Sequence, residues 1–164
     1  MITAVDTNIL LDILIPDKEF LQSSKALLDG YSEKGQLIIS ETVYAELASQ
    51  FGSQKDINDF LSDTGIKVVY SNEKSLCLAA ERWKVYAARR KKKNKLQCPQ
   101  CGENVTALCS KCNKPLLFRQ HIISDFIVGA HALTYAKRLL SRDRGFYKTY
   151  FKDLRTDLRQ RYGS

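Results

Sequence analysis

Ile2-Thr3-Ala4-Val5 runs directly into Asp6-Thr7-Asn8-Ile9-Leu10-Leu11-Asp12-Ile13-Leu14, and this junction decides how the chain is read. The first four residues are apolar apart from Thr3 and partly β-branched, as in a short buried strand. The residues after Asp6 carry apolar side chains at helical spacing: Ile9, Leu10, Ile13 and Leu14. Asp6 therefore stands where a strand hands over to a helix. In open α/β sheets the carboxyl ends of the strands are where sites are built. Asp is also a favoured N-cap, accepting from free N–H groups of the first helical turn. For Asp6 alone both readings stay open; three further carboxylates in similar settings favour a site.

Outward from that junction, strand-like and helix-like stretches alternate. Pro16 breaks the first helix, and Lys18 to Asp29 reads as an amphipathic helix. Leu37-Ile38-Ile39 is a second buried strand, with Ser40 placed to cap a helix that runs to about Phe51 and carries Glu46 beside its apolar side. A short helix over Asp56 to Leu61, a strand over Ile66 to Tyr70 and a long helix from Lys74 to about Lys92 follow. Ile122 to Lys137 is a strong helix, Arg138 to Ser141 a short strand, and Phe146, Tyr147, Tyr150 and Phe151 an aromatic patch before a polar tail. The alternation predicts an α/β fold around a mainly parallel sheet. With 164 residues and 44% hydrophobic content the chain fits one domain with room for a small insert. The composition breaks between about Arg89 and Pro115, so residues 91–117 read as the insert, and 1–90 with 118–164 as the domain it interrupts.

The formal net charge is +8, concentrated in one place. Arg82, Lys84, Arg89, Arg90, Lys91, Lys92, Lys93 and Lys95 occur with no acid between the first and last, while the rest of the chain balances. Such a segment is what a polyanion contact looks like, or else a solvated helix end. Trp83 and Tyr86 are near enough to stack on a base, though core packing suits Trp83 better. The N-terminus has no basic leader, and no run approaches the ~18 apolar residues of a membrane span. The expectation is a soluble cytoplasmic protein.

Four of the five cysteines form two Cys-x-x-Cys pairs: Cys98 with Cys101, and Cys109 with Cys112. Zinc takes four thiolate or imidazole ligands in a tetrahedron, and paired knuckles supply them two at a time. Gly102 and Asn113 follow each second cysteine, where a knuckle needs positive φ. The expectation is a small structural Zn2+ ribbon; a redox or disulfide pair is the rival. Cys77, alone in an apolar helical stretch, reads as a buried thiol.

Asp125 falls near the start of its helix, with the small residues Gly129 and Ala132 on its face, where another backbone could approach. A first-turn acid is the plainer alternative. Asp143 follows a strand end, between Arg142 and Arg144, which could neutralise it. No Gly-x-Ser-x-Gly and no P-loop is present, and Asp6 is followed by Thr7-Asn8 rather than by the second acid of an Asp-x-Asp phosphatase.

Taken together, Val5-Asp6-Thr7-Asn8-Ile9, Tyr44-Ala45-Glu46-Leu47, Ser124-Asp125-Phe126-Ile127-Val128-Gly129-Ala130-His131-Ala132 and Leu140-Ser141-Arg142-Asp143-Arg144-Gly145-Phe146 resemble a PIN-domain ribonuclease of the VapC toxin type. The resemblance covers about 1–90 and 118–155. Ser141 stands where that family usually has Thr, which keeps the hydroxyl, and most small toxins of this type lack the cysteine insert. The resemblance implies a three-layer α/β/α fold with Asp6, Glu46, Asp125 and Asp143 gathered at one sheet edge around Mg2+ or Mn2+. Thr7, Asn8 and Ser141 would orient those carboxylates or a water. It implies RNA as substrate, an antitoxin partner and a homodimer; on the charge pattern, Arg82, Arg89, Arg90, Lys91, Lys92, Lys93 and Lys95 would hold the phosphate backbone. A housekeeping RNA-processing nuclease and a non-catalytic nucleic-acid-binding ribbon protein are the alternatives.

Overall fold

The computed structural model describes residues 1–93, 96–98, 100–114 and 121–157, without the side chains of 90–93, 96 and 97. Five parallel strands form the central sheet: β1 (Ile2–Val5), β2 (Gln36–Ile39), β3 (Lys67–Val68), β6 (Arg138–Leu140) and β7 (Arg155–Asp157), in the order β3-β2-β1-β6-β7. The helices between them are α1 (Thr7–Leu14), α2 (Leu21–Ser32), α3 (Glu41–Ala48), α4 (Gln54–Asp63), α5 (Glu73–Lys93), α6 (Ile123–Tyr135) and α7 (Arg144–Tyr150). A second sheet pairs β4 (Leu96–Gln97) with β5 (Asn104–Val105) antiparallel, inside the expected insert.

Successive residues of a strand face opposite sides of the sheet. Ala4 and Val5, Leu37, Ile38 and Ile39, and Leu139 and Leu140 are all buried, so both faces are covered by helices. This is the expected three-layer arrangement. Strand order reverses at β1, which lies between β2 and β6, and the crevice at the carboxyl ends of β1 and β6 is the switch point of the sheet. The Asp6 amide donates to the Leu140 carbonyl at 2.9 Å, closing that corner.

Several expectations shift. The third strand keeps only Lys67–Val68, and Tyr70 is exposed beyond it, because β3 is an edge strand with one neighbour. The tail after Phe151 contains a strand that the sequence reading left out, β7. Its polar residues pair with β6, and Asp157 is held by Arg138 and by the Tyr31 hydroxyl. The aromatic patch is helix α7 and its end, packed inward: Phe146, Tyr147, Tyr150 and Phe151 are all buried. Gly129 does admit a close approach, but by a ring: a Cβ there would lie 2.6 Å from Phe151. Cys77 is exposed, not buried, because it falls on the outer side of α5. Among the described residues no helix is long and apolar enough to cross a membrane.

Candidate active site

Asp6, Glu46, Asp125 and Asp143 come from four distant points of the chain and line one cavity of about 270 Å³, with Thr7, Asn8, Leu11, Arg142, Phe146 and Tyr147. Asp6 caps α1 after β1, its Oδ1 accepting from the Thr7 amide at 2.8 Å. Its other oxygen, Oδ2, accepts from Ser141 Oγ at 2.6 Å, Asn8 Nδ2 at 2.9 Å and the Tyr147 hydroxyl at 3.4 Å. The cap reading and the site reading are thus both true of one side chain, one oxygen each.

Ser141, directly after β6, is fully buried and ties three groups together. It donates to Asp6 and accepts from the Asp143 amide at 3.0 Å and from Asn8 Nδ2 at 3.3 Å. Asn8 Oδ1 accepts from the Arg142 amide at 3.1 Å, pinning the loop after β6 to the start of α1. Asp143 caps α7, accepting from the Phe146 amide at 3.1 Å. Asp125 lies in the first turn of α6 and accepts from the Ile122 amide at 2.9 Å. Glu46, exposed on α3, accepts from the Thr7 hydroxyl.

The electrostatics agree with convergence. Burial pushes the Asp6 carboxyl up to about 6, helped by the charges of Asp125 and Glu46 and opposed by the bonds from Ser141 and Thr7. Burial also raises Asp143, with Asp125 adding to the rise and the Phe146 amide and His121 opposing it. The Tyr147 hydroxyl is held well above its ordinary range by burial and by Asp6, Asp125 and Asp143.

The sequence reading gave His121 no role at this site and paired Arg142 with Asp143; the structure changes both. His121 is buried, its Nδ1 3.5 Å from Asp125 Oδ2 and 3.8 Å from Asp143 Oδ2. Its ring stacks on Phe146 at 4.3 Å between centroids, and its amide meets the Tyr86 hydroxyl at 3.3 Å. Only its i, i+4 spacing to Asp125 could have pointed to it. Arg142 does not neutralise Asp143. Its Nη2 pairs with the buried Asp12 at 3.0 Å, Ser24 Oγ donates to the same carboxylate at 2.5 Å, and the guanidinium lies over Phe20 at 4.5 Å. Arg144 is exposed.

The basic segment is partly committed inside the fold. Arg82 donates to the Tyr150 carbonyl at 3.1 Å and pairs with Asp153 at 3.3 Å, so it docks α5 onto the end of α7 rather than waiting for a polyanion. Arg89 reaches the Tyr150 hydroxyl. Arg90, Lys91, Lys92 and Lys93 form the end of α5, and Lys95 lies outside the described residues. Tyr86 is buried among Trp83, His121, Phe126 and Tyr150, and Trp83 packs edge-on against Phe126, so core packing is the better account of both.

Four acids lining one cavity, with hydroxyls and an amide at their backs, is the arrangement a divalent-ion nuclease uses. A family model described as "PIN domain" matches residues 3–152. The chain belongs to the PIN-domain family. No curated protein matches it by sequence. In fold, this PIN domain is similar to VapBC2 from Rickettsia felis bound to a DNA fragment from its promoter, with TM-score 0.58 and 16% identity over 96% of this chain and 98% of that one. It is similar also to VapBC-1 from nontypeable Haemophilus influenzae (TM-score 0.56, 20% identity, 96% and 97% covered). FitAcB from Neisseria gonorrhoeae is a third such structure (TM-score 0.58, 16% identity, 95% and 96% covered).

The donor set of this PIN domain fits Mg2+ or Mn2+. Such hard ions take carboxylate oxygens and keep several waters. Among the described residues no three His, Cys, Asp or Glu side chains stand close enough together to hold a metal ion, so the four acids share the cavity without forming a ready-made ligand set. Burial is the chief reason the Asp6 carboxyl is raised, with Asp125 and Glu46 adding to it, and a bound cation would oppose both.

Proposed function

We propose that this PIN domain is a divalent-metal-dependent ribonuclease, an endonuclease acting in the cytoplasm as the toxin of a toxin–antitoxin pair. One observation carries the chemistry: carboxylates separated by up to 137 residues line one cavity, and burial together with the neighbouring acids lifts one of them to about 6. Asp6 and Asp125 are the principal Mg2+ or Mn2+ ligands, with Asp143 and Glu46 completing the site directly or through water. The bound ion would supply Lewis acidity toward a phosphoryl oxygen and a water more easily ionised.

The protein's own groups supply the orientation. Ser141, Asn8 and Tyr147 fix one oxygen of Asp6, and Thr7 fixes Glu46. His121 puts one ring nitrogen within 3.5 Å of Asp125 and 3.8 Å of Asp143, so a single side chain reaches both acids. Arg142, anchored by Asp12 and Phe20, brings a cation to the wall of an otherwise acidic cavity, where the phosphate of a bound strand would meet it. Arg90 to Lys93, together with Lys95, offer charge to the phosphate backbone.

The toxin assignment rests on family membership and on fold neighbours described as VapBC and FitAcB structures. An antitoxin that covers the acid cavity and a homodimer follow from that reading. The test incubates the chelator-treated protein with single-stranded and structured RNAs and with DNA, with and without Mg2+ or Mn2+. Asp6→Asn and Asp125→Asn run beside it. Cleavage should require the ion and fall by about a thousandfold in each variant, the scale of several kcal/mol of transition-state stabilisation. Cleavage that survives Asp6→Asn refutes the assignment. Growth arrest on expression, relieved by a protein encoded beside it, separates a toxin from an RNA-processing enzyme.

A further inference from the structure

The nuclease chemistry leaves the cysteine insert unused, and its backbone makes the same turn twice. The Gly102 amide donates to the Cys98 carbonyl at 2.9 Å, and the Asn113 amide to the Cys109 carbonyl at 2.8 Å. The Cys98 amide donates to the Glu103 carbonyl at 2.7 Å, and the Cys109 amide to the Lys114 carbonyl at 2.9 Å. Gly102 and Asn113 both have positive φ, +80° and +55°, which only Gly and Asn adopt cheaply. In the first turn the amides of Cys101, Gln100 and Gly102 face the Cys98 sulfur; in the second those of Cys112 and Lys111 face the Cys109 sulfur. Each turn also sets its second thiol against its first, Cys101 beside Cys98 and Cys112 beside Cys109.

A second observation is independent of the cysteines. None of the described residues from 98 to 114 is buried, and Val105 and Leu108, the largest apolar side chains among them, are 54% and 49% exposed. Among its described residues this small unit has a hairpin and two defined turns but no buried apolar side chain, and bound metal is one way such a unit is held together.

We propose that Cys98, Cys101, Cys109 and Cys112 together hold one structural Zn2+ ion, a site separate in place and in ligand chemistry from the acid cavity. Four sulfurs suit a soft-tolerant tetrahedral ion, whereas the acid cavity offers only oxygen. Each turn brings two sulfurs together, Cys98 with Cys101 and Cys109 with Cys112; the two pairs do not meet in the structure, and the ion would draw one turn onto the other. With all four positions filled by thiolates the ion has no place for water, so its role is structural. Cys77, exposed on α5, lies outside the set.

Elemental analysis of the purified full chain should find one zinc per chain. Cys98→Ser and Cys109→Ser should each lose it, and Cys77→Ser should keep it. Should the cysteine variants fail to fold, the wild-type protein still decides the matter. Cobalt exchanged into it should give the intense visible and near-ultraviolet absorption of a tetrathiolate, and a mercurial should release one zinc per chain. A wild-type chain without zinc, zinc retained by both cysteine variants, or two disulfides found by alkylation under native conditions would overturn the proposal. These measurements do not depend on nucleic-acid cleavage, so they stand or fall apart from the nuclease reading.

Discussion

The acid cavity and the cysteine insert are opposite ways of bringing ligands together. In the cavity, four carboxylates arrive from β1, α3, α6 and the loop after β6, and the sheet brings them to one edge. Each is held by bonds to groups that the rest of the fold positions. In the insert, four thiols lie within fifteen residues, on two local turns none of whose described residues is buried. The first site is a product of topology and fails when distant packing fails. The second is a product of local turns and should come and go without disturbing the sheet.

That contrast can be tested at Ser141, whose hydroxyl is shared by Asp6, Asp143 and Asn8. Ser141→Ala should cut metal affinity or cleavage by ~10–100-fold. Ser141→Thr should restore most of it, and the zinc content should not move; cleavage assays beside elemental analysis show both. A loss of zinc in Ser141→Ala would mean that the two regions are coupled. Next in size is Gly129→Ala, which drives a methyl into the Phe151 ring packed against α6. It should cost ~1–3 kcal/mol and lower the melting temperature by several degrees, again at constant zinc content.

A smaller effect is expected from pH. Asp6 ionises at about 6 in the folded, metal-free protein, against 3.8 as its ordinary value. Between those values the folded state binds more protons than the unfolded one, so this group makes stability fall as pH rises through the window. Metal-free protein should lose a few degrees of melting temperature across it relative to Asp6→Asn. Added Mn2+, competing with the proton, should remove the difference at neutral pH. Smallest is Arg82→Ala. Because Arg82 serves Tyr150 and Asp153, it should lower stability slightly and leave the salt dependence of RNA binding unchanged, whereas replacing Lys91 to Lys93 should flatten that dependence.

Much of the frame could be read in advance because it is written in apolar runs. β1, β2 and β6 are such runs, and Asp6, Asp125 and Asp143 stand at the starts of the helices that follow or precede them. β7 could not be read, since Arg155-Thr156-Asp157 has no apolar signature and becomes a strand only through its neighbour and the Arg138–Asp157 pair. Arg142 illustrates a different limit. Its neighbour in sequence is Asp143, yet it turns to Asp12, 130 residues away, a choice made by the burial of Asp12 between helices. His121 was invisible for the same reason: its worth comes from two acids that only the fold places on either side of it.

Three of the acids open helices: Asp6 caps α1, Asp143 caps α7, and Asp125 lies in the first turn of α6. The partial positive ends of three macrodipoles therefore meet at the cavity and offset part of its charge permanently. An empty site is thus a tolerable resting state, not a structural emergency. On the proposed reading, cleavage would then follow the supply of free cation, while the folded domain persists between one occupancy and the next.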